Sequence, residues 1–505
     1  MTRTSDGVGN GAQMLLATAA AHGDRVAVTD RELSIDYERL AARSLAFART
    51  LADAGVRPGD RVAVLLRRGA DAAAAFFGVL ASGAVVVTVN ETLRPRQIEH
   101  IVRHSGATTL LTSGEILDRL PRGLEVDAMT LDVSSVPRAG EARPAPRTGG
   151  DVAQIIYTSG STGLPKGVTI SHANLWAGTR AVTTYLGIDH TDRIASLLPF
   201  SFDYGLNQLL CCAGTGAALV VEQSPIPQQI VRTLAELEVT VLPCVPPLWL
   251  QLLSVDKFAT AELPSLRLLT NTGGRLPIDA VRRLRRAQPQ AELVLMYGLT
   301  EAFRSSYLRP ERADGKPSSI GQAIPGAELL VLSDDLTECE PGEQGQLVHR
   351  GPTVALGYWN DPEATARVFR PNPLRPRGTP DAERVVFSGD RVYRDPEGDL
   401  FFVGREDHLI KTLGHRVSPD EVAEVLYASG EVVEATVTSE PDEARGERIV
   451  AYVVMTADGD LERLTEFASR ELPRYMQPAR IEPLPELPRT ASGKHDTAAI
   501  GRTRE

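Results

Sequence analysis

Short apolar runs alternate with amphipathic stretches along most of this chain. Segments 38–54 and 71–82 are alanine-rich with apolar residues at helical spacing, and Arg61–Leu66 and Gly83–Val89 are apolar runs of strand length. The same kind of run recurs at Leu219–Val221, Val239–Leu242 and Leu293–Met296. Strands alternating with helices predict an α/β class, a large layered N-terminal domain with mostly parallel sheets. The stretch 134–151, with prolines at 137, 144 and 146, reads as a surface connection, and 370–384 as another exposed loop. Towards residue 405 the pattern changes. A turn at Asp395–Asp399 precedes the apolar run Leu400–Val403, which predicts a β-rich subdomain. The remaining tail predicts helix 419–428, strand 432–439, strand 448–456 and helix 460–471, a small α+β domain. The expected division is 1–405 for the large domain, 406–409 for the joint and 410–505 for the small domain.

At 505 residues the chain exceeds what one hydrophobic core usually supports, in keeping with that division. The formal charge of −11 speaks against a general nucleic-acid binder, which needs a basic footprint. Cys211, Cys212, Cys244 and Cys339 lack metal-ligand spacing and fit small buried hydrophobes in a reducing cytosol. The polar stretch Met1–Gly11 has no apolar core of signal-peptide type, and no run of membrane-spanning length occurs. A cytoplasmic enzyme with no membrane and no nucleic-acid partner is expected.

The chemistry concentrates in Tyr157-Thr158-Ser159-Gly160-Ser161-Thr162-Gly163-Leu164-Pro165-Lys166-Gly167, directly after the apolar run Val152–Ile156. Glycines let a backbone approach a ligand and aim successive N–H groups at it, while hydroxyls and a lysine add donors and positive charge. Such a loop suits phosphate. It is not a Walker A loop, because Lys166 follows Pro165 and precedes Gly167. Four further segments follow in order: Asn271-Thr272-Gly273-Gly274; Tyr297-Gly298-Leu299-Thr300-Glu301; Ser388-Gly389-Asp390 leading to Gly404-Arg405-Glu406-Asp407; and Arg489-Thr490-Ala491-Ser492-Gly493-Lys494. Together these five segments resemble the adenylate-forming superfamily, which comprises acyl-CoA synthetases, adenylation domains of peptide synthetases and luciferases.

That resemblance implies ATP and Mg²⁺ as cofactors and assigns roles residue by residue. Thr158, Ser159, Gly160, Ser161, Thr162, Gly163 and Lys166 would wrap the β- and γ-phosphates. Gly273 and Gly274 would lie against the adenine, with Tyr297 stacked on it. Thr300 would contact the α-phosphate, and Glu301 would hold Mg²⁺, a hard cation suited to a carboxylate plus phosphate oxygens. Asp390 would accept the ribose hydroxyls with Arg405 nearby. Lys494 would bridge the carboxylate and the α-phosphate as a mobile point charge. The superfamily runs its two half-reactions by rotating a small, mobile C-terminal domain; Asp407 matches its hinge position, and Gly414 would leave room for a pantetheine arm.

The acid is read from Leu198-Pro199-Phe200-Ser201-Phe202-Asp203-Tyr204-Gly205. Many acyl-CoA synthetases carry a histidine where this chain has Phe202, whereas amino-acid-activating domains resemble Phe202-Asp203, with the aspartate on the substrate ammonium. Asp203 is alternatively the N-cap of a helix over 204–212. Tyr204, Trp249, Asn271, Thr272, Ala302 and Phe303 would complete the acid pocket. The expected reaction is ATP-dependent adenylation of a small carboxylic acid, an α- or β-amino acid, then transfer to a phosphopantetheine thiol. The alternatives are a neutral fatty or aromatic acid passed to CoA, an amide-forming ligase, or luciferase-type oxygenation. A freestanding chain would need free CoA or a separate carrier protein, which the basic run Arg282, Arg283, Arg285 and Arg286 would meet if it is more than a solvated helix face.

Overall fold

The computed structural model describes residues 9–119, 128–158, 165–378, 382–405, 409–412, 415–442, 446–490, 495–496 and 499–500. Three sheets organise them. In the largest, strands Val26–Thr29, Ala218–Val221, Arg193–Ser196, Val241–Cys244, Leu268–Asn271 and Glu292–Tyr297 lie side by side and parallel. Beyond Glu292–Tyr297 the same sheet turns antiparallel through Ser306–Leu308 and Ser319–Ala323, then continues into Leu400–Arg405, Arg384–Arg394, Gln344–Arg350 and Glu328–Leu332. The β-rich part expected near residue 395 is thus hydrogen-bonded onto the parallel sheet rather than set apart from it. Its turn forms because Asp395 Oδ1 accepts the N–H groups of Glu397 at 3.0 Å and Asp399 at 2.9 Å.

The second sheet has Arg61–Leu65 between Val85–Val89 and Ala107–Thr112, all parallel. Every residue of Val85–Val89 is buried, as expected for a strand covered on both faces. Val152–Thr158 adds in parallel, and Lys166–Ser171 returns antiparallel, so Thr158 and Lys166 are cross-strand partners. The short strand Gly357–Tyr358 closes this edge against Lys166–Ser171.

The third sheet contains Ile410–Thr412, His415–Val417, Val432–Asp442, Gly446–Met455 and Arg480–Pro483. Helices Pro419–Ala428 and Leu461–Glu471 supply Val422, Leu426, Leu464 and Ala468 to its core. This unit meets the large one where Glu424 Oε1 accepts the Ile278 N–H at 2.9 Å and Glu424 Oε2 lies 3.8 Å from Arg275 Nε.

Two expected boundaries move for visible reasons. The helix expected from 460 begins at Leu461 because Asp460 is its N-cap, accepting the Arg463 N–H at 2.9 Å. The strand expected at 239–242 is Val241–Cys244, because the Val239 N–H closes the preceding helix on Leu234 O. Of the basic run on helix Ile278–Ala287, Arg283 donates to Leu253 O and Arg285 pairs with Asp314; Arg282 and Arg286 are exposed. Cys211, Cys212 and Cys244 are buried, and Cys339 is half-buried. Among the described residues no helix is long and apolar enough to cross a membrane.

Candidate active site

The carboxyl ends of Arg193–Ser196, Leu268–Asn271 and Glu292–Tyr297 open onto one region, where parallel sheets commonly bind ligands. After Leu268–Asn271 the chain turns back sharply. Gly273 adopts φ +83°, which glycine takes without strain, and Asn271 Nδ2 donates to Gly274 O at 3.1 Å. Gly273 and Gly274 line a cleft of about 500 Å³ together with Pro246, Phe402, Arg405 and, from the small unit, Thr436 and Glu447. Thr272 is buried beneath this turn.

Tyr297 ends its strand beside the cleft. Its ring stacks on His349, with centroids 6.0 Å apart, and its hydroxyl donates to Asp390 Oδ2. Burial pushes the Tyr297 phenol well above its usual range, and the neighbouring Asp390 carboxylate pushes it further. Asp390 is itself buried and lies opposite Arg405 across two antiparallel strands, with Arg405 Nε 3.8 Å from Oδ1. The Asp390 N–H donates to Ser388 Oγ at 3.1 Å, and Ser388 Oγ–H donates to Leu347 O at 2.7 Å. The resemblance leads to the expectation that these residues share a nucleotide, but nothing in the motifs signals the direct Tyr297–Asp390 bond.

Thr158 and Lys166 form the last pair of their two antiparallel strands, next to Ser159, Gly160, Ser161, Thr162 and Gly163 in sequence; those five lie outside the described residues. Lys166 Nζ sits 5.7 Å from the centre of the Tyr358 ring, and the Tyr358 hydroxyl donates to Glu301 Oε1 at 2.6 Å. Tyr358 is held there by a chain of caps and pairings. Ser171 caps helix His172–Tyr185 through a reciprocal pair with Asn174, whose Nδ2 donates to Pro352 O and Val354 O. The segment so anchored then gives the Ala355 N–H to Glu301 O and the Leu356 N–H to Thr169 O. Tyr358 has no sequence signal of its own, since a lone Gly-Tyr pair is uninformative without its strand partner.

Thr300 Oγ1 donates to Asp203 Oδ2 at 3.3 Å, joining the loop after Glu292–Tyr297 to helix Asp203–Thr215. Asp203 is only 5% exposed. The N-cap expectation for it is corrected: Phe202 occupies the cap position, the helix has no side-chain cap, and Asp203 is its first residue. Its oxygen is turned to Thr300 instead. Phe202 packs edge-on against Tyr204, whose hydroxyl bonds Thr270 Oγ1 at 2.6 Å. Ala302 and Phe303 are buried after Glu301, and Trp249 packs against Phe258 within a hydrophobic core cluster. Asp407, Gly414 and Lys494 lie outside the described residues.

Arg304 is a residue that the motifs pass over. It is 3% exposed and follows Phe303 in the left-handed region, with φ of +32° at Phe303 and +89° at Arg304. Consecutive non-glycine residues in that region are strained and gather at functional sites. The available signal is a basic residue directly after the apolar pair Ala302-Phe303, three positions after Glu301.

Comparison with known proteins gives a consistent picture. The family model described as "AMP-binding enzyme" matches residues 15–359, and that described as "AMP-binding enzyme C-terminal domain" matches 421–494. The chain is 29% identical to the dimodular nonribosomal peptide synthase of Bacillus subtilis over 94% of its own length, but spans only 20% of that synthase. It spans a still smaller share, 6–9%, of two linear gramicidin synthase subunits of Brevibacillus parabrevis and a probable non-canonical nonribosomal peptide synthetase of Salinispora arenicola. It is 31% identical to novobiocin biosynthesis protein H of Streptomyces niveus, covering 94% of this chain and 79% of the relative. Among solved structures, o-succinylbenzoate coenzyme A synthetase of Bacillus subtilis, in complex with ATP and magnesium ion, superposes with a TM-score of 0.84 at 27% identity, covering 95% of this chain and 98% of that one.

Proposed function

We propose that this chain, which belongs to the AMP-binding enzyme family of adenylate-forming ligases, activates an amino acid and passes it to a phosphopantetheine thiol. One observation carries the choice of acid. Asp203 is a buried carboxylate that receives the Thr300 hydroxyl, and among the described residues no cation pairs with it. A buried charge needs a partner, and a substrate ammonium supplies one.

In this reading the substrate carboxylate attacks the α-phosphorus of ATP, the bond to pyrophosphate breaks, and an acyl-adenylate results. Thiol attack on the acyl carbon then releases AMP. Positioning and charge neutralisation do most of the work in such displacements. Thr158, Ser159, Gly160, Ser161, Thr162, Gly163 and Lys166 hold the outer phosphates; Gly273, Gly274 and Tyr297 hold the base; Asp390 and Arg405 hold the ribose. Thr300 contacts the α-phosphate, its single hydroxyl proton turning there from Asp203 when the substrate ammonium takes that carboxylate. Lys494 offsets the charge shared by carboxylate and α-phosphate, Asp407 is the pivot of the small domain, and Gly414 borders the thiol channel. Phe202, Asn271, Thr272 and Ala302 shape the acid pocket. Glu301 fits a single-carboxylate ligand for Mg²⁺: Tyr358 occupies one of its oxygens and fixes the group, and Mg²⁺ ordinarily needs one carboxylate beside phosphate oxygens and water. The metal would supply charge neutralisation on the phosphates. The acceptor is proposed to be a carrier protein, a choice supported by the peptide synthases among the proteins this chain is similar to.

The test is ATP–pyrophosphate exchange over α-amino, β-amino, aryl and fatty acids, with wild type and Asp203→Ala. Exchange confined to amino acids, falling at least about a hundredfold in the variant, is expected, because losing one partner of a buried charge pair costs about 3 kcal/mol or more. Exchange with neutral acids that survives in Asp203→Ala would replace this reading with a CoA-type acyl ligase.

A further inference from the structure

Helix Asp203–Thr215 sends three polar side chains along one face at four-residue spacing, Asp203, Asn207 and Cys211, and all three are buried. Arg304 enters the same neighbourhood from the loop after Glu301. Its guanidinium carbon lies 4.6 Å from the centre of the Tyr204 ring, and its charge is felt at Cys211, Tyr185 and Tyr204, tempering the upward push that burial gives each. Among the described residues the ring face is the only compensation seen for this cation: Nε and Nη2 are buried with no hydrogen-bond partner, and no carboxylate forms an ion pair with it. Nε–H and Nη2–H share one edge of the guanidinium plane, the edge that grips a carboxylate through two parallel bonds. A third buried donor, Asn207 Nδ2 on the helix, also lacks an acceptor among the described residues. Unmet donors around a buried cation call for an acceptor-rich, negatively charged group.

We propose that Arg304 is a specificity-determining residue and that the activated acid carries a second carboxylate, which Arg304 takes through its Nε–Nη2 edge. Resting on the amino-acid reading above, this makes the substrate a dicarboxylic amino acid: Asp203 receives the ammonium, one carboxylate is adenylated, and Arg304 with Asn207 receives the other. The backbone strain at Phe303 and Arg304 fits this role, since it turns a long cationic side chain inwards behind the Thr300–Glu301 motif.

The experiment is ATP–pyrophosphate exchange by the wild-type chain with aspartate, glutamate and 2-aminoadipate, each set against its neutral isostere (asparagine, glutamine and the side-chain amide of 2-aminoadipate) and against leucine and succinate. At least one dicarboxylic amino acid is expected to exceed its neutral isostere by about a hundredfold in kcat/KM, because a site built around a buried charge rejects a ligand that leaves it unpaired. In Arg304→Met that ratio is expected to collapse or invert, while Arg304→Lys retains part of it. A wild-type preference for a neutral isostere or leucine, or a ratio unchanged in Arg304→Met, would overturn the assignment while leaving amino-acid activation standing. Succinate outpacing every amino acid would keep Arg304 as the carboxylate anchor and instead remove the ammonium role of Asp203. Silence with every dicarboxylic acid would also overturn it. If Arg304→Met fails to fold, the wild-type ratios alone decide.

Discussion

Tyr297 and Asp390 show how single residues acquire meaning from contacts far along the chain. The motif around each suggests a ligand contact of its own, yet the Tyr297 hydroxyl is spent on the Asp390 carboxylate. That bond makes one unit of the two groups expected to hold base and ribose. Tyr297→Phe removes the donor and leaves a buried carboxylate with one hydrogen bond fewer, a loss of about 1–2 kcal/mol. The expected outcome is a KM for ATP about tenfold higher with the acid KM unchanged, since 1.4 kcal/mol corresponds to a factor of ten. Steady-state kinetics with each substrate varied in turn checks it; a change in the acid KM alone would refute the coupling. Asp203 teaches a related lesson. In the sequence a ligand role and a capping role are both open for Asp203, because both begin from an aspartate ahead of a helix. Only the helix start, one residue earlier than expected, and the bond to Thr300 separate them.

At the scale of elements, strands and helices are legible wherever periodicity is strong, and their ends are legible where a cap residue stands. The junction between the parallel and antiparallel halves of the large sheet is not. From Glu292–Tyr297 and Ser306–Leu308 it leads into Ser319–Ala323, a strand with no strong pattern, whose Gly321 has φ +74°. A Cβ at Gly321 would stand 1.9 Å from Tyr307 O, a backbone atom that can yield only by breaking the strand pairing. Gly321→Ala is therefore expected to destabilise the protein by about 3 kcal/mol or more, combining a strained φ with a backbone clash. Thermal unfolding would show an early transition, and hydrogen exchange would place the loss at Ser306–Leu308 and Leu400–Arg405. An unchanged melting temperature would mean that the junction tolerates a side chain.

At the scale of the whole molecule, two buried histidines link stability to pH. His349, under Tyr297, has both ring nitrogens buried without hydrogen-bond partners among the described residues, and burial holds its pKa down to about 3. His172 accepts the Gly11 N–H on Nδ1, and burial lowers its pKa to about 4. In the unfolded chain each takes a proton below about pH 6.5, so the unfolded state binds more protons from there down to the folded values. The stability these neutral rings permit is complete above about pH 6.5 and is lost as pH falls towards 4, by up to roughly 1.4 kcal/mol per pH unit for each histidine. Melting temperatures between about pH 7.5 and about pH 5 are expected to fall, and to fall less in His349→Phe; equal slopes would remove His349 from the account. The large-scale division into an α/β part and a small α+β part can be read from the chain because hydrophobic period and turn chemistry are local properties. The expectation of a phosphate-binding loop is likewise local, resting on eleven consecutive residues. The order of strands, the seating of Tyr358 on Glu301, the pairing of Tyr297 with Asp390 and the burial of Arg304 without a counter-ion among the described residues are decided by tertiary structure alone. Each depends on residues that are distant in sequence, and burial, which turns an ordinary arginine into an unmet charge, is a property of the packed molecule and not of any segment.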